Sequence, residues 1–206
     1  MQTSPEMHES IARTLDRLDA AAERAGRDPG DVLVLLATKL RTPAEIRAAV
    51  DALREQGRRV AVGENRAQEI AKFEDPLLAD LDVPRHFIGR LQTNKAKDAV
   101  AFASIIESVD RPSLIDALER RSELAGRTTE VMVQVNTSGE DSKGGFAPDV
   151  DAVHEALTLI DESPHLRPVG LMTIGANTPD EADVRASLAR LRTLRDDLAD
   201  ERLTEL

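Results

Sequence analysis

Residues 32–37 read Val-Leu-Val-Leu-Leu-Ala, an apolar run with no polar interruption. Strands that are apolar at every position are typical of parallel sheets covered by helices on both faces, whereas half-buried strands alternate apolar and polar residues. The run therefore predicts a parallel strand that is buried on both faces, and with it an α/β fold.

The segments on both sides of this run continue an alternation of helix and strand. An apolar stripe at helical spacing, from Met7 to Ala22, precedes it, and Thr42-Pro43-Ala44-Glu45 is a capping box that opens the next helix. Further strands are predicted at 59–63, 85–89, 104–109, 130–135 and 169–172. Further helices are predicted at 65–73, 94–102, 112–125 and 150–160, and from a second capping box at 178–181 onward. Strict alternation of this kind predicts a parallel sheet with helical crossovers.

Two architectures accommodate six strand–helix units. An open doubly wound sheet needs five or six strands, but the sequence has no glycine-rich GxGxxG turn and no P-loop. A (β/α)8 TIM barrel needs eight strands and about 250 residues. The sequence has a leading helix and six strand–helix units, and it ends inside the last helix. This pattern favours a barrel without strands 7 and 8. We therefore expect a single barrel domain over residues 1–206, with about 40 further residues in the native chain.

Composition excludes several classes of protein. The 206 residues include no Cys, which removes disulfides and thiolate metal sites, and the net charge of -11 argues against a protein that coats nucleic acid. No apolar run approaches the length of a membrane span, no signal peptide precedes the first helix, and no metal-binding motif is present. The sequence thus predicts a cytoplasmic protein, and the absence of long heptads and apolar patches predicts a monomer.

Lys39 is the candidate reactive residue. Ligands of parallel α/β folds bind at the carboxyl ends of strands, and Lys39 follows the stretch Val-Leu-Val-Leu-Leu-Ala-Thr at 32–38 directly. Its stem should begin among apolar neighbours, where burial disfavours a charged amine, and a neutral amine attacks carbonyl groups. Only five of the 27 basic residues are Lys, so a lysine here suggests a role that Arg, always protonated, cannot perform. The alternative is a strand-end lysine that reaches solvent or pairs with Glu64.

Five stretches, in order along the chain, carry a family resemblance. They are Leu-Ala-Thr-Lys at 36–39, Val-Gly-Glu-Asn-Arg-Ala-Gln-Glu at 62–69, His-Phe-Ile-Gly-Arg-Leu-Gln-Thr-Asn-Lys at 86–95, Glu-Asp-Ser-Lys-Gly-Gly at 140–145 after Asn136, and Gly-Leu-Met-Thr-Ile at 170–174. The chain resembles the YggS/PROSC family of pyridoxal 5′-phosphate (PLP) homeostasis proteins, which share the barrel of the alanine racemase N-terminal domain.

The resemblance implies roles for particular residues. Lys39 stands where the family holds PLP as a Schiff base, and Asn65, His86, Ile88 and Met172 would line the cofactor pocket. Ile88 and Met172 are equally well explained as ordinary core residues. Lys143, in the glycine-rich stretch, would either reach an anion or be solvated. The family continues with a Ser-rich stretch and an R-x-G segment that hold the cofactor phosphate, and neither occurs in these 206 residues.

Three functions remain open on the sequence. The resemblance implies a PLP-binding homeostasis protein, without established catalytic activity, that buffers PLP or passes it to PLP-dependent apo-enzymes. A fold-type III racemase or lyase is the first alternative, but related racemases use a Tyr from a second domain as their second base, and this chain has no Tyr. The second alternative is a Schiff-base aldolase on a (β/α)8 scaffold.

Overall fold

Helices and strands alternate along the chain in the computed structural model, which describes residues 5–140 and 143–204. The α-helices are α1 Pro5–Arg24, α2 Pro43–Glu55, α3 Ala96–Phe102, α4 Pro112–Leu124, α5 Val150–Asp161 and α6 Glu181–Leu198. The strands are β1 Val34–Ala37, β2 Val60–Glu64, β3 Arg85–Phe87, β4 Ile105–Val109, β5 Thr129–Gln134 and β6 Leu166–Met172. Backbone packing divides the chain into two compact units, Met1–Arg85 and His86–Leu206. The assignment of all 206 residues to one domain stays a prediction.

The first unit is built around β1, β2 and α2. β1 and β2 pair in parallel, with Val34 opposite Val60 and Ala37 opposite Gly63. The capping box that opens α2 is confirmed, because the hydroxyl of Thr42 accepts from the Glu45 amide and the Glu45 carboxylate accepts from the Thr42 amide. α2 buries Ile46, Val50 and Leu53 as its apolar face.

One expectation for this unit is wrong, and a second is confirmed only in part. β2 is buried at all five positions, but the residues of β1 are half-buried and Ala37 is exposed, so the apolar run at 32–37 is not covered on both faces. The segment predicted as a helix at 65–73 is a 3-10 helix at Ala67–Glu74. Eight residues are an unusual length for a 3-10 helix, which rarely exceeds three or four.

The second unit holds β4, β5, β6 and all of β3 except its first residue, Arg85, and each of these strands pairs in parallel with the next. Its helices bury one apolar face each, with Leu114 and Leu118 on α4 and Val153 and Ile160 on α5. Parallel strands covered in this way are rich in apolar residues. The short apolar runs Ile105-Ile106 in β4 and 131–133 in β5 are what made these two strands predictable from the sequence.

Several boundaries in this unit differ from the sequence prediction by one to three residues, and those of β6 and α6 have a clear physical reason. β6 begins at Leu166 rather than 169 and runs through Pro168. The second capping box is wrong as placed: Asp180, not Thr178, caps α6, because its carboxylate accepts from the Ala182 amide. Thr178 instead accepts from the Asp180 amide and forms the turn before the helix. Among the described residues, no helix is both long and apolar enough to cross a membrane.

Candidate functional site

Lys39 lies two residues beyond the carboxyl end of β1, in a turn, and its side chain is exposed. The expectation that its stem lies among apolar neighbours is therefore wrong. The apolar run ends at Ala37, which is itself exposed, so Lys39 is already clear of the packed part of the strand. Placement at a strand end is what a reactive lysine in a parallel α/β fold requires, and exposure leaves its amine accessible.

The turn that carries Lys39 is held by three side chains from β2 and the 3-10 helix. The Lys72 ammonium donates to the Thr38 carbonyl at 2.9 Å, and the Thr38 hydroxyl donates to Oε1 of Glu64 at 2.5 Å. On the other side of Lys39, the Leu40 amide donates to Oε2 of Glu69 at 2.7 Å. The hydrogen bond from Leu40, followed by that from Lys72, lowers the pKa of Glu69 below its ordinary value.

Glu64 pairs with Lys72 and not with Lys39. The sequence placed Glu64 after the second strand, but it is the last residue of β2 and is fully buried. Its Oε1 lies 2.7 Å from Nζ of Lys72. A buried carboxylate needs a cation or several donors to offset the loss of water, and Lys72 supplies that cation.

Asn65 follows β2 directly and is half-buried. Its Oδ1 and the Oε2 of Glu64 are both buried without a hydrogen-bond partner among the described residues. Buried polar atoms are normally hydrogen-bonded, so two unpartnered oxygens at one strand end are suited to receive donors from a polar ligand.

His86 is buried within β3, and its Nδ1 donates to Oε1 of Glu107 on β4 at 2.5 Å. Its Nε2 is buried with no partner among the described residues. The bond to Glu107 fixes the ring orientation and directs one free nitrogen away from the carboxylate. The second unit thus has its own polar group that lacks a partner.

Ile88 and Met172 are half-buried at the ends of β3 and β6. Met172 packs against a buried cluster of Ile105, Met132 and Val169. This contact is what the core interpretation of Met172 expects, and its role as a cofactor contact stays a prediction.

Lys143 has two protein partners. Its ammonium donates to Oε1 of Glu140 at 2.8 Å and to the carbonyl of Gly175 at 2.7 Å, and its side chain is largely buried. The lysine therefore ties the segment after β5 to the segment after β6 rather than standing free in solvent. Asp141 and Ser142 of the same motif lie outside the described residues.

Lys72 and Glu69 are the residues near Lys39 that sequence reasoning missed. Their partners lie about 30 positions away along the chain, and no local pattern reports such a contact. One signal was present: Lys72 is one of only five lysines in a chain rich in arginine. No group of three or more acidic, His or Cys side chains suited to a metal occurs within residues 5–140 and 143–204.

Comparison with known proteins defines the class. A family model described as "Alanine racemase, N-terminal domain" matches residues 14–206. Two proteins named "Pyridoxal phosphate homeostasis protein" are similar to this chain. The protein of Aquifex aeolicus is 38% identical, and the match covers 92% of this chain and 80% of the relative. The protein of Pseudomonas aeruginosa is 39% identical, and the match covers 92% of this chain and 79% of the relative. The chain belongs to the pyridoxal phosphate homeostasis protein family, within the alanine racemase N-terminal-domain class.

A solved relative agrees with this membership. PipY of Synechococcus elongatus is 34% identical to this chain in its structure without PLP. The superposition covers 93% of this chain and 86% of the PipY chain, with a TM-score of 0.73. The PLP-bound structure of the same protein is 31% identical over the same shares, with a TM-score of 0.68. The fold is thus that of the alanine racemase N-terminal domain, and the described residues hold six of the eight strands of a (β/α)8 barrel.

Proposed function

We propose that this chain binds PLP and holds it covalently, as a Schiff base on Lys39, in the service of PLP homeostasis. The observation that carries the proposal is the position of Lys39, exposed just beyond the carboxyl end of the parallel strand β1. Family membership and the PLP-bound structure of PipY support the same cofactor.

PLP supplies an aldehyde that condenses with primary amines. With PLP bound, the Lys39 amine would supply the nitrogen of a C=N bond to the aldehyde carbon, and the aldehyde oxygen would leave as water. A lysine suits this step because its amine can lose its proton, while an arginine guanidinium stays protonated. Because the linkage hydrolyses, Lys39 can both hold the cofactor and release it.

Asn65, His86, Ile88 and Met172 complete the proposed set of cofactor-binding residues. The unpartnered Oδ1 of Asn65 and Nε2 of His86 support the inclusion of these two, because a ring with polar substituents needs a few polar contacts. Ile88 and Met172 would supply apolar contact to the faces of the ring. No residue is assigned a catalytic role.

The proposed role is that of a cytoplasmic monomer that delivers PLP to PLP-dependent apo-enzymes. Carriage needs only a reversible linkage, whereas two-base racemisation needs a second acid–base group on the opposite face of the substrate. The chain has no Tyr to act as that second group. The racemase or lyase alternative therefore lacks a supporting residue within this sequence.

The test is a PLP titration of the wild-type protein, Lys39→Ala and the control Lys97→Ala, followed by the absorbance of lysine-bound PLP. We expect the band in the wild type and in Lys97→Ala, whose exposed lysine lies on α3, and its loss in Lys39→Ala. An unchanged band in Lys39→Ala would show that the cofactor is held elsewhere. Steady turnover of an amino acid by the wild type, with no turnover in Lys39→Ala, would favour the racemase or lyase alternative.

A further inference from the structure

Both neighbours of Lys39 are fixed by side chains that are distant in sequence. Thr38 is held through its carbonyl by Lys72 and through its hydroxyl by Glu64, and the Leu40 amide is held by Glu69. Lys39 itself is exposed. The main chain is therefore held on each side of a lysine whose side chain is accessible.

The ammonium of Lys72 is at the centre of this arrangement. It lies 2.7 Å from Oε1 of Glu64, 2.9 Å from Oε2 of Glu69 and 2.9 Å from the carbonyl of Thr38. An ammonium has three N–H donors, so every donor of Lys72 has an acceptor. A planar guanidinium spreads its donors over three nitrogens and cannot direct three of them from a single point. A chain with 22 Arg thus has a physical reason to use Lys at 72.

The unusual 3-10 helix explains how Glu69 and Lys72 reach the same turn. Side chains at i and i+3 eclipse one another in a 3-10 helix, because it has three residues per turn. Glu69 and Lys72 have this spacing within Ala67–Glu74, so both project from one side of the helix. An α-helix over the same residues would place them 60° apart around its axis, since each residue advances by about 100°.

Leu40 shows that the turn needs external support. Its φ is 61°, in the left-handed region that non-glycine residues rarely adopt, and 78% of its surface is exposed. Packing therefore contributes little to holding this conformation. The Leu40 amide instead donates to Glu69, whose Oε2 also accepts from Lys72.

We propose that Lys72, acting with Glu64 and Glu69, is a positioning residue that holds the turn at Thr38–Leu40 so that Lys39 is presented for reaction with PLP. This proposal rests on the proposed function of Lys39. Within residues 5–140 and 143–204, the polar contacts of the Lys72 ammonium are to these carboxylates and to the turn, so Lys72 acts on the cofactor through Lys39. Lys72→Met keeps most of the stem but leaves the buried Glu64 without its cation and the Thr38 carbonyl without its donor.

The experiment measures the rate and affinity of PLP attachment in the wild type, Lys72→Met, Lys72→Arg, Glu69→Ala and the control Lys97→Met. Borohydride reduction and peptide mapping report how much of the label is on Lys39, and circular dichroism gives the temperature range in which each variant is folded. If only about a tenth of the molecules hold the turn in the conformation that presents Lys39, the apparent affinity for PLP falls about tenfold. We expect this loss of PLP affinity in Lys72→Met. Lys72→Arg should not recover the wild-type affinity for PLP, and Lys97→Met should leave that affinity unchanged.

Glu69→Ala keeps the pair of Glu64 and Lys72, so it tests the turn even if Lys72→Met does not fold. We expect weaker and slower attachment in this variant as well. Wild-type rate and affinity in folded Lys72→Met or in Glu69→Ala would overturn the proposal and leave Lys72 with a purely structural role. A wild-type protein that carries no PLP on Lys39 would instead refute the proposed function, so the two failures are distinguishable.

Discussion

Gly145 gives the sharpest test of how the segment after β5 is packed, because a single methyl group should displace it. A Cβ on Gly145 would lie 2.6 Å from the Asn136 nitrogen and 2.9 Å from the Val135 carbonyl carbon, both backbone atoms that cannot rotate away. Its φ of 135° is also a conformation that residues with a side chain rarely adopt. Gly145→Ala therefore requires the segment to move.

The cost follows from what that movement breaks. The Phe146 amide donates to the main-chain carbonyl of Gln134 at 2.8 Å, and the Asn136 amide donates to the main-chain carbonyl of Phe146 at 3.0 Å. Each hydrogen bond contributes about 1 kcal/mol, and the φ conflict adds about 1 kcal/mol. The free energy of unfolding should thus fall by about 3 kcal/mol in Gly145→Ala.

Gly126→Ala is the matched control. Gly126 has a φ of 61°, but no atom lies within 4 Å of an added Cβ, so only the conformational cost of about 1 kcal/mol applies. Urea unfolding should be followed by far-ultraviolet circular dichroism, because the chain has no Trp or Tyr for fluorescence. If the two variants lose the same stability within about 0.5 kcal/mol, the segment is not packed against the end of β5 as described.

Three further predictions concern the turn at Lys39, the cap of α2, and two carboxylates whose pKa values are lowered. Leu40→Gly relieves the positive φ while exposing no new core, so urea unfolding should show a gain of about 0.5 kcal/mol; a loss would contradict a strained turn. Thr42→Ala removes the cap of α2 and should cost about 1 kcal/mol, and an NMR titration should show the pKa of Glu45 moving up towards 4.5. Hydrogen bonds lower the pKa values of Glu69 and Glu140 in the folded state, so stability should be full above pH 4.5 and fall as the pH drops below it; a flat urea midpoint across that range would refute this.

The strands and the first capping box could be predicted because local sequence determines them. Apolar segments mark the positions of the strands, although the run at 32–37 is not covered on both faces. The start of α2 could be predicted because Thr42 and Glu45, three positions apart, contact each other. The boundary of β6 was missed because Arg167 and Pro168 interrupt the apolar run without ending the strand.

The arrangement around Lys39 could be predicted only in part. The apolar run predicted that Lys39 lies at a strand end. It did not predict that Lys39 is exposed, because the residues of the run do not determine which other segments cover the residues that follow it. The 3-10 helix looks like an α-helix in sequence. Its contacts, from Glu69 and Lys72 to Thr38 and Leu40, join positions about 30 residues apart and therefore leave no local pattern.

The most direct test of the central claim is the site of covalent attachment in the wild-type protein. The protein should be incubated with PLP, reduced with borohydride, digested, and mapped by mass spectrometry. The account predicts one phosphopyridoxyl group, on the peptide that contains Lys39, with the other four lysines unlabelled at low PLP concentration. Label on Lys72, Lys95, Lys97 or Lys143 in place of Lys39, or no label at all, would contradict it.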